Sequence, residues 1–414
     1  MSRPSLRRSE LADALGPRMY AWLAVIGLGL LTGLYGVVSV LTQGTVVLGI
    51  SSQLPWGILI STYEFFLLTS AGVMIGVIAL SVVFGVGRFD LVVKRGVLLA
   101  LATLGAGLFT IVIGLGRPER PIVHALLNAN VTSPIWWVIM FAGSFGAALV
   151  ALLFVLESDR FSSPRLALAV GSVGLLVGVA VAVAAGMIFG TAQARPYYGG
   201  PLAPLYFVLT GTLSGVAALG FVVVAEHKAT GTPIGGDLRE LITGSVAPVL
   251  GVLVAAALLT AAVKAIYGLT STSDSTAMAY EHMLFGSFGP LYWGLGILVG
   301  LLIPLALMAY PKTRTPNGVL AASGMALVGL FVTRYEFVVG GQVVALTADP
   351  GHEYPLVSYA PSVAEATLVV FALALCALIY TVGSVLFDLD ELPPRNGDTR
   401  MNAPTARTGG TDDD

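Results

Sequence analysis

Five charged residues lie inside long apolar stretches of this sequence: Glu64, Lys264, Arg334, Glu336 and Glu365. A charge near the bilayer centre costs about 2.5–3.5 kcal/mol on insertion scales, so each needs a partner, a watery cavity or a reaction to serve. Glu64 is the deepest. It follows Pro55 by nine residues, about 13 Å along a helix, which is too far for a short side chain to reach the membrane surface. A carboxylate there suits proton exchange or a hydrogen bond to a polar headgroup. The other four lie near stretch ends, where they can snorkel to the interface or pair.

More polar chemistry follows the third stretch, in Leu115-Gly116-Arg117-Pro118-Glu119-Arg120-Pro121, then His124, Asn128 and Asn130. Two prolines fix φ and prevent helix, so this reads as an ordered turn that holds its charged side chains in place. Trp56, Trp136, Trp137 and Trp293 fall near stretch ends on the same side. An interfacial aromatic belt accounts for such rings. An aromatic, half-wet pocket beside Glu64 and the Arg117 turn also suits a quinone headgroup, whose carbonyls need donors and whose protons need a carboxylate or imidazole. Glu64 and His124 are therefore the candidates for proton exchange. Trp56, Tyr63, Arg117 and Trp136 would line or brace the pocket, with Arg120, Lys264, Arg334 and Glu365 as an outer network.

The elements that must position these residues are ten apolar stretches, at 20–42, 55–84, 97–116, 134–156, 166–190, 204–225, 244–268, 288–310, 318–338 and 361–387. Each is long enough to cross about 30 Å of hydrocarbon as a helix. The expected fold is an all-α, polytopic integral membrane bundle in the cell membrane, with membrane lipid as its surroundings. A composition of 56% hydrophobic and 11% charged residues, with a mean hydropathy of +0.88, excludes a soluble globule. A net charge of −2 by itself says nothing about nucleic acid, and none is expected as a partner.

Orientation follows from the basic residues. With both termini on one side, sixteen of the 21 Lys and Arg fall on that side, three (Arg117, Arg120 and Arg195) on the other, and two inside the stretches. That asymmetry predicts cytoplasmic termini. Glu64, Lys264, Arg334, Glu336 and Glu365 then all belong to the outer half, and the inner half is expected to be nearly free of fixed charge. Residues 1–19 read as a cytoplasmic N-terminus, 20–387 as the transmembrane domain and 388–414 as a disordered cytoplasmic tail.

Redox centres are not expected in the chain. Its single cysteine, Cys376, cannot hold an iron–sulfur cluster or a zinc site, and its four histidines lie in connections rather than facing one another within helices, as a membrane haem requires. Dinucleotide, phosphate-loop and His-Glu-x-x-His patterns are missing. Glycines four apart at Gly29/Gly33, Gly72/Gly76, Gly174/Gly178, Gly211/Gly215 and Gly296/Gly300 predict close helix packing within the chain.

Four segments carry a family resemblance: Pro55-Trp56-Gly57-Ile58 leading through Tyr63-Glu64 to Ala71-Gly72; Leu115-Gly116-Arg117-Pro118 with Ser133-Pro134-Ile135-Trp136; Phe288-Gly289-Pro290-Leu291-Tyr292-Trp293; and Tyr359-Ala360-Pro361-Ser362-Val363-Ala364-Glu365. In order and spacing they resemble the NrfD/PsrC-like membrane subunits of iron–sulfur molybdoenzymes, in the ten-helix branch that includes the hydrogenase-2 membrane subunit. The resemblance implies a haem-free site for menaquinol or a similar exchangeable quinone near the outer face. It also implies a ferredoxin-like iron–sulfur subunit docked there, relaying electrons to or from a molybdopterin-type catalytic subunit. Trp56, Arg117, Trp136 and Glu365 match its motifs. On this reading the chain is the quinone-reactive subunit of a respiratory oxidoreductase rather than an enzyme alone. Two alternatives are a structural membrane anchor without a quinone site and a secondary transporter, which should show interrupted helices in two related halves.

Overall fold

The computed structural model describes residues 17–117, 119–120, 123, 127–158, 161, 163–200, 202–346, 355–390 and 392–393. Ten of its helices are long and apolar enough to cross a bilayer: α1 Pro17–Val47, α2 Ile58–Val82, α3 Gly87–Gly114, α4 Pro134–Glu157, α5 Pro164–Gly190, α6 Leu202–Thr230, α7 Gly236–Leu269, α8 Gly289–Ala309, α9 Pro316–Gly340 and α10 Val363–Leu386. Among the described residues there is no strand, only an antiparallel bridge between Val344 and Leu356 in the α9–α10 connection. This is the all-α multi-pass membrane bundle that the hydropathy predicts. The end where α1 stops and α2 starts is called outer here, after the charge asymmetry.

Small residues set which helices touch. In lipid no hydrophobic force drives helices together, so close backbone approach supplies the attraction. The glycine pairs each meet another helix of this chain: Gly29 and Gly33 lie against Ala374 and Phe371 of α10, Gly174 and Gly178 against Met74 and Phe145, and Gly300 against Gly329 of α9. The tightest contact joins α2 to α6, where a side chain on Gly72 would run into the Gly211 carbonyl and one on Gly215 into the Gly72 backbone. α2 and α6 are the most enclosed spans, and α1 and α10 face outward over much of their length.

Two helices begin well before their apolar runs do. α3 starts at Gly87 and α7 at Gly236, whereas their apolar stretches begin at 97 and 244. The reason at α3 is ion pairing, which corrects the expectation of an inner half nearly free of charge. Lys94 and Arg95, assigned by sequence to a connection, are buried in the first turns of α3. Lys94 Nζ lies 2.9 Å from Glu157 of α4. Arg95 pairs with Glu226 of α6 at 3.3 Å and with Asp390 at 3.0 Å. It also donates to the Leu389 carbonyl, and Leu389 itself is buried. Leu389 thus packs against the bundle just beyond α10.

Three π-helical stretches widen the spans: Met74–Ile78 in α2, Ile242–Val246 in α7 and Tyr292–Leu302 in α8. Such turns are rare and gather at functional positions. The α8 stretch lines the cavity described next.

Candidate functional site

The α2–α6 glycine contact and the packing of α9 against both helices bring Glu64, Thr210 and Arg334 together in the outer half of the bundle. Glu64 is 1% exposed and Arg334 5%. Arg334 Nη2 donates to Thr210 Oγ1 at 2.7 Å, and its guanidinium carbon lies 4.0 Å from the centre of the Phe207 ring. It interacts electrostatically with Glu64 without closing a salt bridge. Glu64 Oε2 and Arg334 Nη1 are both buried and have no hydrogen-bond partner among the described residues. A buried polar atom left unsatisfied costs about 1–3 kcal/mol, and more when charged. One acceptor and one donor in this condition, on neighbouring helices, suit a small polar group that bridges them.

Next to this pair, α6, α7, α8 and α9 enclose a narrow cavity of about 40 Å³, room for roughly two or three waters. Lys264 enters it in an aromatic cage, its Nζ 4.5 Å from the ring centres of both Tyr206 and Phe337. Rings of this kind attract a cation through their negative faces. Glu336 faces Lys264 and accepts a hydrogen bond from Tyr197 Oη at 3.3 Å. Burial pushes the Tyr197 and Tyr280 hydroxyls well above the ordinary phenol range. They therefore act as hydrogen-bond donors at neutral pH. Lys264 and Arg334 do not snorkel to the surface; both turn into the protein.

Trp56 and Tyr63 are held at the outer entrance of α2. Gln342, fully buried, clamps the Trp56 backbone from both sides, accepting from its nitrogen at 3.1 Å and donating to its carbonyl at 2.8 Å. The Trp56 ring sits edge-on to Phe189 at 5.4 Å, and Tyr63 is buried beside Glu64. Glu365 is occupied by architecture. Its carboxylate accepts from Gly49 and Ser362 nitrogens and from the Tyr359 hydroxyl, each at 2.8 Å, and it completes the capping box of α10. Burial pushes the Tyr359 hydroxyl upward in pKa, so it too donates. Trp136 is half-buried against Trp137.

Arg117 and Arg120 do not line the Lys264–Glu336 cavity. They border a separate open recess with Gln43 and Thr45, and Glu119 and Arg120 are helical rather than part of the non-helical turn expected from the prolines, since proline is tolerated in the first turn of a helix. His124 lies outside the described residues. A further groove of about 420 Å³ on the outer side is bordered by His282, Phe288, Tyr335 and Tyr359. Sequence reasoning passed over Thr210, Gln342, the tyrosines around Glu336 and the His282 groove. An isolated hydroxyl, amide or phenol carries no spacing signal, and only helix packing shows what it faces.

Comparison with known proteins bears on this arrangement. A family model described as "Polysulphide reductase, NrfD" matches residues 46–345. The Hdr-like menaquinol oxidoreductase integral membrane subunit of Archaeoglobus fulgidus is 26% identical, over 82% of this chain and 86% of its own length. A selenate reductase subunit of Mesobacillus selenatarsenatis is 22% identical, over 84% of this chain and 89% of its own.

Proposed function

The chain belongs to the NrfD polysulphide reductase family of membrane subunits, and from that premise we propose that it oxidises or reduces a menaquinone-type quinone at the Glu64–Arg334 site. Electrons pass to or from an iron–sulfur subunit of a molybdopterin-type enzyme docked at the outer end. The carrying observation is the pair of unsatisfied atoms, Glu64 Oε2 and Arg334 Nη1. A quinol needs one acceptor for a hydroxyl proton and one donor for the opposite oxygen, and this pair offers both in a low-dielectric setting where such contacts are strong. Each quinol that becomes quinone gives up two electrons and two protons. Glu64 takes one proton, and His124 is the candidate for the other. Arg334 holds the second oxygen in place, itself fixed by Thr210 and Phe207. Trp56 and Tyr63 brace the entrance. The enclosed cavity is far smaller than the roughly 300–1,000 Å³ of ordinary ligand sites, so the quinone ring enters only as side chains around Thr210 and Tyr206 move apart.

A second reading places the ring in the outer groove beside His282, because that groove of about 420 Å³ has the volume of a ligand site as it stands. One pair of variants separates the readings. In the purified complex, Glu64→Gln is expected to lower quinol-coupled turnover about 100-fold or more, the usual contribution of a positioned acid or base, with assembly intact and a weakened fluorescence change on titration with a quinone analogue. His282→Gln is expected to change turnover little. Reversal of that order moves the reaction to the groove, and full turnover in both variants leaves the chain as a membrane anchor.

A further inference from the structure

The recess beside Arg117 and Arg120 takes no part in the function proposed above. It is open, about 680 Å³, and its floor is made by Gln43, Gly44, Thr45 and Leu115. Gly116 bends the end of α3 with φ +69°, a left-handed conformation that favours glycine. Thr45 packs directly against it. The end of α3 is thereby pressed onto the end of α1, and Arg117 and Arg120 border the same recess as Gln43. Neither guanidinium has a hydrogen-bond or ion-pair partner among the described residues. Glu119, helical like Arg120, is exposed and does not line the recess.

Gln43 belongs to a second depression as well. This one is a trough of about 380 Å³ that runs down the outward face of α1 along Leu31, Leu34, Tyr35 and Val38. Leu31 is 69% exposed and Val38 50%, on a span long and apolar enough to face lipid. From Gln43 down to Leu31 the helix falls about 18 Å, close to the hydrocarbon depth of one leaflet, half of about 30 Å. A two-guanidinium recess thus shares Gln43 with a mainly apolar trough about one leaflet deep.

We propose that recess and trough together form a binding site for one anionic phospholipid. Its phosphodiester lies between Arg117 and Arg120, which suit phosphate oxygens through charge-assisted and forked hydrogen bonds. Its glycerol oxygens meet the Gln43 amide, and an acyl chain follows the α1 trough. A zwitterionic headgroup would bring an ammonium toward two guanidiniums and is disfavoured. An acidic protein surface or free phosphate could use the recess but would leave the trough unused.

The test is lipid retention by the full-length protein, reconstituted in nanodiscs of mixed phosphatidylglycerol and phosphatidylcholine, re-extracted and read by native mass spectrometry. The wild type is expected to keep one phosphatidylglycerol through delipidation in preference to phosphatidylcholine. Arg117→Gln with Arg120→Gln is expected to weaken that retention about tenfold or more, since each basic residue near the surface contributes about 1 kcal/mol toward anionic lipid. Gln43→Glu, which sets a carboxylate in the recess, should act in the same direction, and Arg239→Gln at the opposite end should not. Equal retention by the double variant overturns the proposal. So does competition by inorganic phosphate as effective as that by long-chain lipid, which reduces the site to a phosphate recess. Unchanged lipid with loss of co-purifying partner subunits also overturns it and makes the two arginines a protein-docking face.

Discussion

Glu64 and Arg334 are informative because neither completes the other. Two opposite charges within electrostatic range, each with one unsatisfied buried atom, form an arrangement a stable protein has little reason to keep unless something fits between them. The same arrangement makes their energetics interdependent. Removing Arg334 leaves the Glu64 carboxyl buried without the cation that acts on it, whereas removing both spares that penalty. Arg334→Met is therefore expected to lower the thermal midpoint of the purified protein clearly, and Glu64→Gln combined with Arg334→Met to recover part of the loss. Additive losses in that double-variant cycle would show that the two side chains do not share an environment. Glu365 contrasts with both: its carboxylate is spent on Gly49, Ser362 and Tyr359, so substitution there should act through the docking of α10 on α1 and α2 before it acts on any chemistry.

At the level of elements, the site depends on how closely α2 and α6 approach, and that is set by glycines rather than by the reacting residues. A methyl group at Gly72 overlaps the Gly211 carbonyl, so Gly72→Ala must push the helices apart. Overpacking of this kind costs about 1–3 kcal/mol and shifts Thr210, the anchor of Arg334, relative to Glu64. Gly27 is the matched control, because a methyl group there meets nothing within 4 Å. The expectation is lower folded yield and lower quinol turnover per folded molecule for Gly72→Ala, and a stability change within about 0.5 kcal/mol for Gly27→Ala. Equal behaviour of the two would remove the α2–α6 contact from the account of the site. The ten spans were legible in the sequence because a run of apolar residues one bilayer long admits few other structures. Their starts were less so: an apolar run ends at the first charge, while a helix continues when, as with Lys94 and Arg95, the charge finds a partner on another span. Glu64 was legible for the same reason as the spans, since depth is only distance along a helix. Its neighbourhood was not. Thr210 and Arg334 reach it from helices distant in the chain, through a packing that glycine spacing announces without saying which pair of stripes will meet.

Among the described residues the molecule carries two charged storeys separated by an uncharged middle. The outer storey holds the orphaned Glu64–Arg334 pair and the Lys264–Glu336 cavity, and Arg195 ties it shut by donating to the carbonyls of Gln53 and Gly341 at 2.9 and 3.2 Å. The inner storey is paired: Arg95 joins α3 to Glu226 of α6 and to Asp390 beyond α10, while Tyr380 of α10 donates to Glu226 at 3.1 Å. Paired charges hold helices together, and unpaired ones are available for reaction, so the two storeys should separate stability from turnover. The partners of Arg95 differ in exposure, with the Glu226 side chain 26% exposed and Asp390 83%. Asp390→Asn should therefore cost at most about 1 kcal/mol, as exposed pairs do. Arg95→Met leaves the partly buried Glu226 with the Tyr380 hydroxyl alone and should cost about 1.5–3 kcal/mol, as hydrogen bonds to charged groups do. Turnover per folded molecule should remain at the wild-type level in both, measured by quinol oxidation normalised to the folded fraction from thermal unfolding. Loss of turnover with unchanged stability in Arg95→Met would mean that the inner cluster takes part in proton or electron movement, and that chemistry in this bundle is not confined to its outer half.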